Sequence, residues 1–225
     1  MKEQIILREF RESDCPVLED MVREAWNYDR FCSSKTAAKM SGVYLNSCLI
    51  NQTFIRVAEV DGVPAGVIMG KDIENHRCPL SLRLRWIGSV IRLFLSEEGR
   101  KLSKVFDGIE NIDRELLSGC KKKYKGELAF FVIGEKYRGR GLGRQLFRSA
   151  ADYMQSRNIP EFYLFTDTSC NYLFYEHMGM KRRGEKKHRI AVPGEKGEMT
   201  FFIYDYQAPM EKEGGTGSRE CTEGV

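Results

Sequence analysis

Apolar and polar positions recur along the chain at intervals that divide it into short elements. Gln4 to Glu9 forms a short apolar-rich strand segment, and Ser13-Asp14-Cys15-Pro16 follows as a helix N-cap with a proline inside the first turn. Val17, Leu18, Met21, Val22 and Ala25 then fall at helical spacing, which predicts a helix to about Trp26. A second helix is predicted over Ser34 to Ile50 from Ala37, Ala38, Val43, Tyr44 and Leu45, against the low propensity of Gly42. Thr53 to Val60 and Val63 to Met69 flank Asp61-Gly62, the dipeptide of a two-residue hairpin turn. Farther on, Glu127 to Ile133 (ELAFFVI) is the most apolar strand segment, followed by a helix over Leu142 to Arg157 and a strand over Phe162 to Thr166. A short helix around Tyr172 to Met178 and two strands, Lys181 to Ile190 and Glu198 to Tyr206, complete the series. Pro193-Gly194-Glu195-Lys196-Gly197 is read as the turn between those last strands, and the polar, glycine-rich residues 208–225 as a disordered tail.

The pattern changes between His76 and Lys125, where LSLRLRWIGSVIRLFLS alternates apolar and basic residues. This segment carries 12 Lys/Arg against 6 Asp/Glu, so its net charge of +6 exceeds the +4 of the whole chain. Amphipathic helices packed over a neighbouring sheet account for it most simply, and a helix on a membrane surface or an acidic partner is the alternative. Lys121-Lys122-Lys123, running to Gly126, reads as a solvated connector. A length of 225 residues with 42% hydrophobic and 30% charged content suits one soluble compact domain. The small net charge gives no argument for nucleic acid. No stretch approaches a membrane span, and Met1-Lys2-Glu3-Gln4 leads into the first strand without a signal-peptide core, so the expected compartment is the cytoplasm. Seven scattered cysteines and the isolated His76, His177 and His188 read as reduced thiols without a zinc cluster, and no metal is expected.

The most informative stretch is Tyr137-Arg138-Gly139-Arg140-Gly141-Leu142-Gly143-Arg144, between an apolar strand and an amphipathic helix. Glycines allow consecutive N–H groups to face a ligand, and a helix N-terminus favours negative charge. Five cations and no acid lie between Lys136 and Arg148, which suits a phosphate or pyrophosphate. A glycine-rich turn with solvated arginines is the plain alternative. The glycine spacing is not that of a dinucleotide-binding loop, and the Gly-Lys-Ser/Thr of a P-loop is missing.

Arg138-Gly139-Arg140-Gly141-Leu142-Gly143, behind ELAFFVI, resembles the R-x-x-G-x-G acyl-CoA-binding signature of the GCN5-related N-acetyltransferase (GNAT) superfamily. Tyr175-Glu176-His177-Met178-Gly179-Met180 resembles the family's Y-E-x-x-G-F run, with Met180 replacing phenylalanine. The order of elements also matches over about residues 4 to 207, with 76–125 longer than the usual family connection. The resemblance implies an α/β (α+β) fold with a mixed, mostly antiparallel central sheet and helices on both faces, as one domain over residues 1–207 with a helical basic insertion at about 76–125. It implies an acetyl-CoA-dependent N-acetyltransferase that moves an acetyl group to a primary amine of a small molecule or peptide, by direct transfer in a ternary complex. A non-catalytic acyl-CoA sensor on the same fold is the competing reading. The implied partners are acetyl-CoA and an unidentified amine, with a homodimer left open.

By the same resemblance, backbone groups of Phe131, Val132 and Ile133 hold the pantetheine arm and acetyl carbonyl, and the amides of Arg138, Gly139, Arg140, Gly141, Leu142, Gly143 and Arg144 hold the pyrophosphate. Tyr175 corresponds to the tyrosine that protonates the leaving thiolate, a role suited to a phenol that keeps its proton at neutral pH; a core tyrosine is the alternative. Asn171, four residues before Tyr175, is expected on its helical face, where it either caps the helix or binds the cofactor; the family's cofactor-contacting asparagine is replaced by Thr168, which leaves Asn171 as the substitute. Glu127 stands where some members carry the glutamate that deprotonates the amine, and strand alternation predicts it on one face with Ala129, Phe131 and Ile133. Asp167 is a second group for holding the amine, and Cys170 reads as a neutral thiol rather than a nucleophile.

Overall fold

The computed structural model describes residues 3–192 and 195–208. Strand β1 (Ile5–Arg8) is followed by α1 (Cys15–Ala25), α2 (Ser34–Ile50), β2 (Phe54–Val60) and β3 (Val63–Asp72). The charged segment folds into α3 (Leu80–Phe94) and α4 (Glu97–Gly119), after which come β4 (Gly126–Ile133), α5 (Leu142–Ser156), β5 (Glu161–Asp167), α6 (Leu173–His177), β6 (Lys181–Val192) and β7 (Glu195–Gln207). The strands form one seven-stranded sheet in the order β1-β2-β3-β4-β5-β7-β6, in which β4 and β5 are the parallel neighbours and the other pairs run antiparallel. The hairpin forms at Asp61-Gly62, where both residues take positive φ (49° and 81°) as a type I′ turn requires. At the far hairpin β7 begins at Glu195, so the turn is shorter than the pentapeptide expected; Pro193, Gly194 and the expected tail from 209 onward lie outside the described residues.

Helices cover both faces. On one, α5 buries Leu142, Leu146, Phe147, Ala150 and Met154 against Leu128, Phe162, Leu164 and Tyr204 of the sheet. On the other, α1 and α2 bury Leu18, Val22, Leu45 and Leu49 against Val57, Val67, Met69 and Phe130. Within the insertion, α4 behaves as expected: Ile112 and Leu116 pack with Tyr163, Phe201 and Ile203 over β5 and β7. Helix α3 departs from that expectation. It lies against α2 rather than the sheet, and Leu80, Leu84, Ile87, Ile91 and Phe94 form an exposed apolar stripe at helical spacing.

Buried carboxylates tie distant elements together. Asp14 stands at the N-cap of α1 with Pro16 in the first turn, as expected, but its carboxylate makes no cap bond: it accepts two bonds of 2.8 Å from the Arg8 guanidinium and a third from the Arg11 amide. Asp205 of β7 accepts from Arg183 at 2.7 Å and from Lys122 and Tyr124 at 3.0 Å each, so the lysine run is anchored rather than merely solvated. Burial alone would raise the Asp205 pKa, but these donors outweigh it and hold it below 3.8. A carboxylate with a depressed folded-state pKa contributes stability above its unfolded value, and that contribution is lost as pH falls. Asp205→Ala should therefore cost roughly 2 kcal/mol at pH 7, the scale of losing charged hydrogen bonds. Denaturant melts should show the difference from wild type shrinking below pH 3.8.

Candidate active site

The site begins where the sheet comes apart. Strands β4 and β5 pair only at Gly126↔Phe162 and Glu127↔Tyr163, after which the ladder between them stops although both strands continue. A β-bulge accompanies the separation: Met69 pairs with Phe130 and Gly70 with Leu128, leaving Ala129 as the extra residue in β4. The opening between Leu128–Phe131 and Leu164–Asp167 leads into a cavity of about 660 Å³. Its walls include Trp26 and Tyr44 from the first helical layer, Ile109 and Asp113 of α4, and Tyr175 of α6.

The bulge also corrects the expected facing of β4. Leu128, Phe131 and Ile133 pack on the α5 side, whereas Phe130 and Val132 pack on the α1–α2 side. Gly126 faces Ile159, Phe162 and Met154 on the α5 side, so its neighbour Glu127 points the other way and does not share a face with Phe131 or Ile133. Burial raises the Glu127 pKa, against the opposing effects of Lys71 and a hydrogen bond with Tyr163.

Behind β4, the glycine loop enters α5. Gly139 and Gly141 have φ of 77° and 78°, the left-handed region that side chains disfavour. Gly141 occupies the N-cap of α5 without a side-chain cap, leaving the first-turn amides of Leu142, Gly143 and Arg144 free for an anion. At Gly143 a Cβ would lie 3.2 Å from the Phe174 ring, so this glycine permits close approach of α5 and α6. The arginines divide by role. Arg140 pairs with Glu3, donates to the Lys136 carbonyl at 2.9 Å and lies over the Tyr137 ring, while Arg138 and Arg144 are exposed.

Tyr175 sits in α6 at the cavity, its ring centroid 6.4 Å from that of Phe131 and 5.5 Å from that of Phe174. Burial raises its pKa, and the neighbouring Cys170 and Asp167 add to the rise, so the phenol keeps its proton at neutral pH. The next residue locks the helix: Glu176 accepts from the Tyr204 hydroxyl at 2.7 Å and from Arg182 at 2.8 Å. Met180, in place of the motif's phenylalanine, is buried against this core. Asn171 precedes α6 and is exposed, so it does not lie on the helical face of Tyr175; its carbonyl accepts from Phe174 N–H at 3.1 Å. Thr168 instead ties the end of β5 to β7 through both its amide and its hydroxyl. Cys170 lines the cavity with a thiol pKa raised by burial, and Asp167 accepts from the Ser169 amide at 2.7 Å.

Sequence reading missed Asp113. It follows Leu102 and Ile109 on one face of α4, at spacings of 11 and 4, as a carboxylate in an otherwise apolar stripe. Burial pushes its carboxyl up to about 7, and the nearby Glu127, Asp167 and Glu110 reinforce the shift.

A model of the acetyltransferase (GNAT) family matches residues 18–180. The chain belongs to the GNAT family. No curated protein sequence matches it, but solved structures of GNAT architecture do. The ribosomal-protein-S18-alanine N-acetyltransferase of Escherichia coli aligns with a TM-score of 0.52 at 12% identity, over 94% of this chain and 98% of that one. The ribosomal-protein-alanine N-acetyltransferase of Brucella melitensis gives 0.53 at 14% identity, over 90% and 99% of the two chains. For yncA of Salmonella typhimurium, solved with its cofactor acetyl-CoA, the values are 0.51 and 12%, over 92% and 96%. At these identities the likeness is one of fold: a mixed, mostly antiparallel sheet with helices on both faces.

The placement of Asp113 in this GNAT acetyltransferase has a stability consequence. A carboxyl whose folded pKa exceeds its unfolded value costs the fold progressively as pH rises between the two, and the cost levels off above the folded value. Asp113→Asn should therefore match wild type below pH 3.8, gain on it as pH rises toward 7, and stay ahead beyond. The plateau should be on the order of 4 kcal/mol, measured by thermal or denaturant unfolding across pH.

Proposed function

We propose that this protein is an acetyl-CoA-dependent N-acetyltransferase that transfers the acetyl group directly to a primary amine in a ternary complex. The observation that carries this reading is the parting of β4 and β5 with Tyr175 at the cavity between them. The residues present fit an acyl-CoA. The edge of β4 over Phe131, Val132 and Ile133 that β5 leaves open, opposite the edge paired with β3, suits an extended pantetheine arm, as an added strand would be received by an open sheet edge. The uncapped amides from Gly141 to Arg144, with exposed Arg138 and Arg144, suit the pyrophosphate. Gly139 supplies the turn, and Arg140 holds the loop through Glu3 and Tyr137. Asn171, exposed beside α6, has a lesser role at the edge of the cofactor site.

Acetyl-CoA brings the activated thioester. The chain's own groups orient its carbonyl by backbone N–H donation, receive a proton from the amine and return one to the leaving sulfur. Tyr175 is the proton donor to sulfur. Glu127 belongs to the proton-accepting side, where its charge and that of Asp113 act on each other. Catalysis is favoured over sensing by the neutral phenol at the cavity, which a sensor would not need.

Replacing Tyr175 by phenylalanine keeps ring packing and removes the hydroxyl. With an accepted amine, turnover at saturating acetyl-CoA should fall roughly 100-fold, with stability and acetyl-CoA affinity little changed. Full turnover in the folded variant would assign proton donation to another group.

A further inference from the structure

The part of the cavity walled by α1, α2 and α4 has a composition that constrains what enters it. Three rings pack together there: Trp26 and Tyr44 have centroids 4.7 Å apart, Tyr44 and Phe130 5.7 Å, and Trp26 and Phe130 6.1 Å. Leu102 and Ile109 of α4 and Met199 of β7 continue the apolar wall. Among the described carboxylates at this cavity, Asp167 accepts from Ser169 and Glu198 pairs with Lys187 at 3.6 Å, whereas Asp113 has no hydrogen bond or ion pair. A carboxylate among apolar side chains is costly unless a cation joins it. Arg30 also lines the cavity, but an anionic acceptor placed at Asp113 would meet that carboxylate together with the charges of Asp167 and Glu127. A polyamine would need its further ammonium groups matched as well, whereas the other lining carboxylates, Asp167 and Glu198, are engaged by Ser169 and Lys187. The volume and the three rings suit a compact apolar body.

We propose that the acceptor is a monocationic amine on a compact apolar body, aromatic or branched aliphatic, and that Asp113, contributed by the α3–α4 insertion, binds its ammonium group and takes its proton. This rests on the acetyl-transfer reading. The Asp113 carboxylate accepts one proton from the ammonium, leaving a neutral amine. The nitrogen lone pair forms the C–N bond to the thioester carbonyl carbon, and the C–S bond breaks with its electron pair going to sulfur. The Tyr175 hydroxyl protonates that sulfur, the second nitrogen proton restores the hydroxyl, and the proton on Asp113 passes to water. The insertion is thus part of the acceptor site.

Lys71 acts to lower the pKa of Glu127, and Arg30 also lines the cavity. Burial pushes the Asp113 carboxyl up to about 7, and the charges of Glu127 of β4, Asp167 of β5 and Glu110 of its own helix add to the rise. The rate should therefore rise with pH through that region.

The test uses the full chain. Calorimetry with acetyl-CoA comes first, and absence of binding would overturn the acetyl-transfer reading along with this one. Free thiol release is then compared for phenethylamine and isoamylamine against spermidine, glutamate and an alanine-initiated peptide. The two apolar monoamines should show kcat/KM at least about tenfold higher than the others. Asp113→Asn should bind acetyl-CoA as wild type does yet lose roughly 100-fold in kcat/KM, with higher KM, lower kcat and no rise in rate near pH 7. Asp113→Glu should recover part of the loss. With acetyl-CoA bound, the proposal is overturned if spermidine, glutamate or the peptide is preferred, if neither monoamine is acetylated, or if Asp113→Asn keeps both the rate and its pH dependence.

Discussion

The separation of β4 from β5 after two residue pairs is the constraint on which the rest of the site depends. A continuous ladder between these parallel neighbours would satisfy every backbone group and leave no path through the sheet. The extra residue Ala129 bends β4 at the start of the opening. The two strands then present unpaired edges to each other, and the cavity lies where side chains from both faces of the sheet can reach it. The arrangement gives up ladder hydrogen bonds for an open cleft, a common compromise at functional sites.

The elements around the opening serve different needs. On the α5 side, small residues dominate where backbone must approach: two glycines in left-handed conformation, and Gly143 against Phe174. Facing them, the walls are large and aromatic, with one carboxylate held among them on α4. Tyr175 lies between these regions, in a five-residue helix held by the bonds of Glu176 to Arg182 and Tyr204. A neutral phenol and a carboxyl raised toward 7 differ in the direction in which they exchange protons at neutral pH, which suits one to donate and the other to accept.

Much of this was legible in the sequence because the signals are local. The periodicity over Ser34 to Ile50 coincides with α2, Asp61-Gly62 specifies its own turn, and the glycine loop and Tyr175 stand out by composition. What escaped was tertiary. The bulge at Ala129 leaves no mark in ELAFFVI, since an apolar run buried on both faces reads alike in either phase, and so Glu127 was expected on the wrong face. Asn171 was expected at the head of the helix, on the face of Tyr175, but α6 begins at Leu173 and leaves it exposed. Asp113 carried a usable signal, an acid at a position where the heptad of Leu102, Ile109 and Leu116 predicts an apolar face. The buried carboxylates Asp14 and Asp205 could not be read locally, because their partners lie on other elements.

Amide hydrogen exchange of the full chain with and without acetyl-CoA tests the central claim most directly, because it reads the backbone groups that the parted strands leave unpaired. Binding in the opening should slow exchange at Phe131 to Ile133 and at Leu142 to Arg144 together, with the outer strands β1 and β6 unchanged. Protection confined to other segments, or no protection at saturating acetyl-CoA, would contradict the account.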